Sequence, residues 1–135
     1  MGGRTTPATM FQGLRIAVVS ALAETRRAMR GYLEAVEAEV RTASTLADLA
    51  VVASGAAALV LFADDFPHGR VLTALAALVA AGGPGIVVVS EDVEMAKDAR
   101  QVVAVPRPAW GWMVLDALRT LIFDEQRGEG RSKKR

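Results

Sequence analysis

The sequence contains no cysteine and a single histidine, His68. The first absence excludes disulfides, thiolate zinc sites and a cysteine nucleophile together. The second excludes a histidine cluster around a metal, and leaves a Ser-His-Asp hydrolase only one imidazole to work with. Aromatic residues are 5% of the chain, so the core must come from the Ala, Val and Leu that raise the apolar fraction to 52%. Net charge is nearly absent too: 16 Lys and Arg stand against 15 Asp and Glu, +1 overall. A nucleic-acid-coating surface needs a strong basic excess, which this chain lacks. The balance is uneven, however. Residues 127–135 carry five basic groups and one acid, a local +4, leaving 11 basic and 14 acidic groups, or −3, elsewhere. At 135 residues the chain has the length of one compact domain. This composition favours a binding or signalling protein over a metalloenzyme or hydrolase.

Residues 71–89 carry no charge, long enough to suggest a membrane span. Gly82-Gly83-Pro84-Gly85 interrupts that stretch where lipid offers no partner for freed backbone groups. The period also changes there. Leu72, Leu75, Ala76 and Val79 recur at helical spacing, and Ile86 to Val89 is then an unbroken β-branched run. Residues 1–11 lack an apolar segment of signal-peptide length. The expectation is a soluble cytoplasmic protein without membrane contact, its lack of cysteine suiting a reducing compartment.

Short apolar runs at residues 14–19, 57–62, 86–89 and 102–105 read as buried strands, with a less apolar one at 39–43. Amphipathic helices fall between them. One covers residues 23–38, with Met29, Leu33 and Val36 inward. Another is opened by a Thr45/Asp48 capping box and runs to Ala53, with Leu46, Leu49 and Ala50 inward. A third starts at Gly69 or Arg70 and stops at Gly82. Ser90 caps a short charged helix to Arg100, and Pro108 opens a last one reaching Phe123, with Val114, Leu118, Leu121 and Ile122 inward. Five β-α units in succession predict an α/β domain with a single doubly wound, five-stranded parallel sheet. A site in such a sheet forms at the carboxyl ends of the strands. That directs attention to Ser20-Ala21, Ala63-Asp64-Asp65, Ser90-Glu91 and Arg107-Pro108. The expected boundaries are a flexible N-terminus at 1–12, the domain at 13–125 and a basic disordered tail at 126–135.

Residues 14–123 resemble the receiver domain of two-component response regulators. Ile16 to Val19 leads to Ser20-Ala21, where the family has an acidic pair, and Arg26, Met29 and Leu33 follow at matching spacing. Ala63 stands where the family's phosphorylated Asp ends the third strand, with Pro67 four residues on and Gly69 soon after. Ser90 matches the Ser or Thr after the fourth strand, and Arg107-Pro108 matches a Lys-Pro. The resemblance implies a flavodoxin-like strand order, 2-1-3-4-5. Only 17 positions separate Ser90 from Arg107, fewer than family members have, so the fourth helix is expected shortened or missing.

What the resemblance implies for fold does not extend to chemistry. Receivers hold Mg²⁺ with the acidic pair, phosphorylate the Asp and neutralise the product with the Lys. Ser20 and Ala21 bring no carboxylate, so Mg²⁺ binding is expected weak or absent, with no other cofactor or metal. Ala63 has no oxygen to phosphorylate, and Ala104 replaces the aromatic whose rotation reports phosphorylation. Ser90 is retained, and Arg107 keeps a positive charge in planar form. These positions, Ser20, Ala21, Ala63, Asp64, Ser90 and Arg107, make a degenerate phosphoacceptor pocket with no catalytic residue. The expectation is a stand-alone pseudo-receiver, not an enzyme, that signals by phosphorylation-independent protein contact. Alternatives are phosphorylation of Asp64, which needs a one-residue slip of the third strand, and a small ligand in the vacated pocket. Asp64 otherwise reads as an ion pair or loop hydrogen bond involving Arg107, Asp65 and His68 as solvated turn residues.

Trp110 and Trp112 flank Gly111 at the start of the last helix. Two helical steps turn about 200°, so both cannot face the core, and at least one must be partly exposed. Together with Arg107 they mark a candidate interface for another signalling protein, or for a second copy, through the last helix and fifth strand. Nucleic acid is expected only, if at all, at the basic tail.

Overall fold

The apolar runs form strands β1 (Arg15–Val19), β2 (Glu39–Ala43), β3 (Ala58–Phe62), β4 (Gly85–Val89) and β5 (Val102–Val105). Between them lie helices α1 (Ala23–Ala35), α2 (Leu49–Ala53), α3 (His68–Ala80) and α4 (Gly111–Arg119), the last continued by a wider turn at Thr120–Asp124. These come from a computed structural model that describes residues 11–91, 102–106 and 111–124. The five strands form one sheet in the order β2-β1-β3-β4-β5, every ladder parallel. The expected fourth helix between Ser90 and Arg107, together with Arg107, Pro108, Trp110 and the tail, lies outside the described residues.

Strand side chains alternate between two cores. Ile16, Val18, Val60, Val87 and Val105 face α1 and α4, where Met29, Leu33, Val114, Leu118 and Leu121 meet them. Ala17, Val19, Leu59, Leu61, Ile86 and Val88 face α2 and α3, against Leu49, Ala53, Val71, Leu75 and Leu78. Both faces of β1, β3 and β4 are therefore dry, which is why those strands read as continuous apolar runs. Each fully buried Val, Leu or Ile contributes about 1.5–3 kcal/mol through burial alone. Among the described residues no helix is long and apolar enough to cross a membrane.

Several boundaries differ from the sequence reading. The helix expected over 23–38 stops at Ala35, because Glu39 must already pair with Arg15 in the sheet. The chain reverses through Glu37 in the left-handed region (φ 67°). The Glu37 N–H reaches the Glu34 carbonyl at 2.9 Å, and the Ala38 N–H reaches Leu33 at 3.1 Å. Helix α3 ends by the same hydrogen-bond pattern at Gly82 (φ 73°), with Gly83 N–H donating to Leu78 at 2.9 Å. Glycine takes that conformation freely, whereas Glu37 is strained there by about 1 kcal/mol.

The capping box does not form. The Thr45 hydroxyl donates to the Asp48 carboxylate at 3.2 Å, not the backbone, and a 3₁₀ turn at Leu46–Asp48 precedes α2. Ala50 is exposed, and Ala53 is buried in its place. Helix α3 begins one residue early, at His68, and presents a rotated face. Val71, Leu75 and Leu78 are buried, while Leu72 and Val79 are 41% and 38% exposed. A helix of Ala, Leu and Val has apolar residues on nearly every side, so its sequence admits two faces less than one residue step of about 100° apart. Phe11, expected among the loose first dozen residues, is buried, its ring centroid 6.0 Å from that of Phe123.

Candidate functional site at the strand ends

Parallel strands of one sheet end together, so β1, β3 and β4 bring Ser20, Ala63 to Asp65 and Ser90 to one edge. Ser20 N–H continues the ladder to Ala43 (3.1 Å), and Ser90 N–H continues it to Val105 (3.1 Å). This places both serine side chains in the interior, at 0% and 1% exposed. A hydroxyl buried there without a partner would cost about 1–3 kcal/mol.

The partners are two consecutive carboxylates on the 3₁₀ turn Ala63–Asp65 that follows β3. Ser20 Oγ donates to Asp65 Oδ2. The same oxygen accepts the Ala21 N–H at 3.0 Å, and Ser20 Oγ in turn accepts the Leu22 N–H at 3.1 Å. On the other side, Ser90 Oγ donates to Asp64 Oδ1 at 2.7 Å, and the Glu91 N–H donates to Asp64 Oδ2 at 2.9 Å. The Arg26 guanidinium holds the β1–α1 loop by donating to the Ser20 carbonyl at 2.8 Å. Asp65 thus ties β3 to β1, and Asp64 ties β3 to β4.

Ala63 itself is buried, its methyl packed in the core on the α2 and α3 side. Its position therefore carries no acceptor oxygen. Asp64 makes the expected loop hydrogen bond, to Ser90 and Glu91; Arg107, proposed as its partner, lies outside the described residues. Asp65 corrects the sequence reading. It is half-buried and bonded to Ser20 and Ala21, not a solvated turn residue. His68 is exposed but opens α3 instead of lying in a loop. Ala104 is half-buried against the α2 and α3 side.

The signal for Asp65 was present as a complement: hydroxyls ending β1 and β4 flank an Asp-Asp doublet ending β3. The partners lie 45 and 26 positions apart, so no local spacing marks the pairing. The donor set does not fit Mg²⁺. That ion takes carboxylate oxygens and waters in near-octahedral array, whereas here Asp64 Oδ1 and Oδ2 and Asp65 Oδ2 accept hydroxyl and amide donors. Among the described residues no group of three or more His, Asp or Glu converges on a metal position.

At the other candidate surface, Gly111 is buried beneath Tyr32 of α1. A Cβ there would lie 2.2 Å from the tyrosine ring, so glycine lets α4 close on α1. Trp112 follows and is 64% exposed, on the side of α4 that also carries the Asp116–Arg119 pair (2.7 Å). Tyr32 is itself 45% exposed. The expectation that one tryptophan of the pair stands free of the core holds for Trp112; Trp110 lies outside the described residues.

Neither a protein-family model nor a curated protein sequence matches the chain. Solved structures do. The signal receiver domain of a response regulator from Bermanella marisrubri is 23% identical, with a TM-score of 0.67 over 82% of this chain and 99% of that one. The chemotaxis protein CheY4 of Vibrio cholerae is 14% identical, with a TM-score of 0.64 over 81% of this chain and 98% of its own. The response regulator PhyR of Brucella abortus superimposes with a TM-score of 0.71 at 11% identity, over 93% of this chain and 54% of PhyR. At these identities the likeness speaks to architecture, and strand order, crossovers and helix placement agree with it: the chain has the fold of response-regulator receiver domains.

Proposed function

We propose that this chain is a pseudo-receiver, a cytoplasmic signal-transduction module that acts by protein contact and without phosphoryl chemistry. One observation carries the reading. At the strand ends Ala63 offers no acceptor, and the neighbouring carboxylates of Asp64 and Asp65 already bond the hydroxyls and amides of the flanking strands. Phosphoryl transfer needs a nucleophilic oxygen together with a cation that offsets developing charge; the lack of an oxygen on Ala63 and the hydrogen bonds already made by Asp64 and Asp65 support the reading. Output then falls to a surface, for which exposed Trp112 is the candidate, aromatic side chains being enriched at binding hot spots.

The test is incubation with acetyl phosphate, and separately with beryllofluoride, in the presence of Mg²⁺. The expected result is no phosphoryl adduct by mass spectrometry and an unchanged amide spectrum. An adduct that disappears in Asp64→Ala would overturn the reading and make Asp64 the acceptor.

A further inference from the structure

We propose that the groove between the Leu46–Asp48 turn and helix α3 is a docking site for an acidic amphipathic helix of a partner protein. The inference rests on the reading that this chain works by protein contact, and adds a second surface. Helix α3 packs on one face of the sheet and α4, with Trp112, on the other.

The groove has a volume of about 710 Å³ and is open to solvent. One wall is Leu46 and Ala47, the other the Arg70, Thr73, Ala74 and Ala77 side of α3. Shape and chemistry together select the occupant. A small molecule wants an enclosed cleft with several converging polar groups. Here the Thr73 hydroxyl is spent on the Gly69 carbonyl at 3.1 Å, and the remaining side chains apart from Arg70 are apolar. Strand addition needs a free sheet edge, and this groove is bounded by a helix and a turn. The three alanines project only a methyl group, so a helix can lie close along α3 with its apolar residues against Leu46 and Ala74.

Charge decides the sign of the partner. Arg70 is exposed and has no acidic partner among the described residues. It lies in the first turn of α3, which contains no acid and is entered from Pro67 without a side-chain cap. The helix dipole adds to the guanidinium there. No acidic residue is among those that line the groove, and Asp48, which ends the turn after Leu46 and Ala47, accepts from the Thr45 hydroxyl. A partner carrying Asp or Glu beside its apolar stripe complements this end of the groove.

The experiment titrates the full chain into a fluorescein-labelled synthetic helix with Leu and Ala on one face and Glu on the other, read by polarisation. Saturable binding is expected, weakened about tenfold or more by Arg70→Glu and by Ala77→Trp, and unchanged in Trp112→Ala. Both groove positions are exposed, and circular dichroism checks that the variants keep the fold. The proposal is overturned if the peptide does not bind, if either groove variant binds as well as the parent, or if a scrambled or Lys-for-Glu peptide binds equally. Sedimentation that reveals self-association abolished by Ala77→Trp would assign the groove to a second copy and overturn it also. The phosphodonor assay is independent of each of these readouts, so failure of the groove and failure of the pseudo-receiver reading are told apart.

Discussion

Asp65→Ala lowers stability by about 2 kcal/mol, shifting the urea midpoint down by about 1 M. The change removes the acceptor of both the Ser20 hydroxyl and the Ala21 amide, and leaves the fully buried Ser20 donor without that partner. The effect is more than a surface carboxylate would give, because hydrogen bonds to a charged group are stronger and an orphaned buried hydroxyl carries its own penalty. Asp65 is only half-buried, which keeps the figure at the lower end for such pairs. A double-mutant cycle makes the cause specific. Ser20→Ala placed on Asp65→Ala is expected to be nearly neutral, since it removes the stranded donor, whereas Ser20→Ala alone destabilises. Additive single effects would show that the two side chains do not form the tie described.

Leu118→Ala is expected to be the more damaging change, about 3 kcal/mol, with a fall in melting temperature of about 15 °C. Leu118 is fully buried in the core that α1 and α4 form over the sheet. Its truncation removes transfer energy and leaves a cavity between the helix and strands held in place by their ladders. Leu72→Ala, the same chemical change, should stay within about 0.5 kcal/mol, because Leu72 is 41% exposed on α3. Thermal unfolding of the two variants side by side tests the observed rotation of α3. Comparable losses would place Leu72 in the core after all.

How much of this was legible in the sequence differs by element. The central strands were plain, because burial on both faces demands unbroken runs such as Ile86 to Val89, whose chemistry hardly varies with context. Strand β2 was legible despite its charges, since an edge strand has only one neighbour and tolerates Glu39 and Arg41 outward. The α3 face was not legible. Ala, Leu and Val on most sides leave the periodicity too weak to choose a direction, and contact with β3 and β4 chooses it. Likewise α1 could not announce its stop at Ala35, since no glycine or proline marks it and the cause is pairing of Glu39 with β1.

The candidate site divides the same way. Which residue types end the strands, Ser20 and Ala21 after β1, Ala63 after β3 and Ser90 after β4, the sequence by itself determined. It also determined the absence of cysteine and the single histidine, which exclude thiolate and histidine-cluster metal sites, and the near-zero charge, which lacks the basic excess of a nucleic-acid-coating surface. Only the tertiary structure decided what the neighbouring Asp64 and Asp65 do. Ser20, Asp65 and Ser90 lie up to 70 positions apart in the chain. A hydrogen bond depends on separations of a few tenths of an ångström, which residue order does not encode. Parallel pairing of β1, β3 and β4 brings those strand ends together, and there Asp65 ties β3 to the end of β1 and Asp64 ties it to the end of β4.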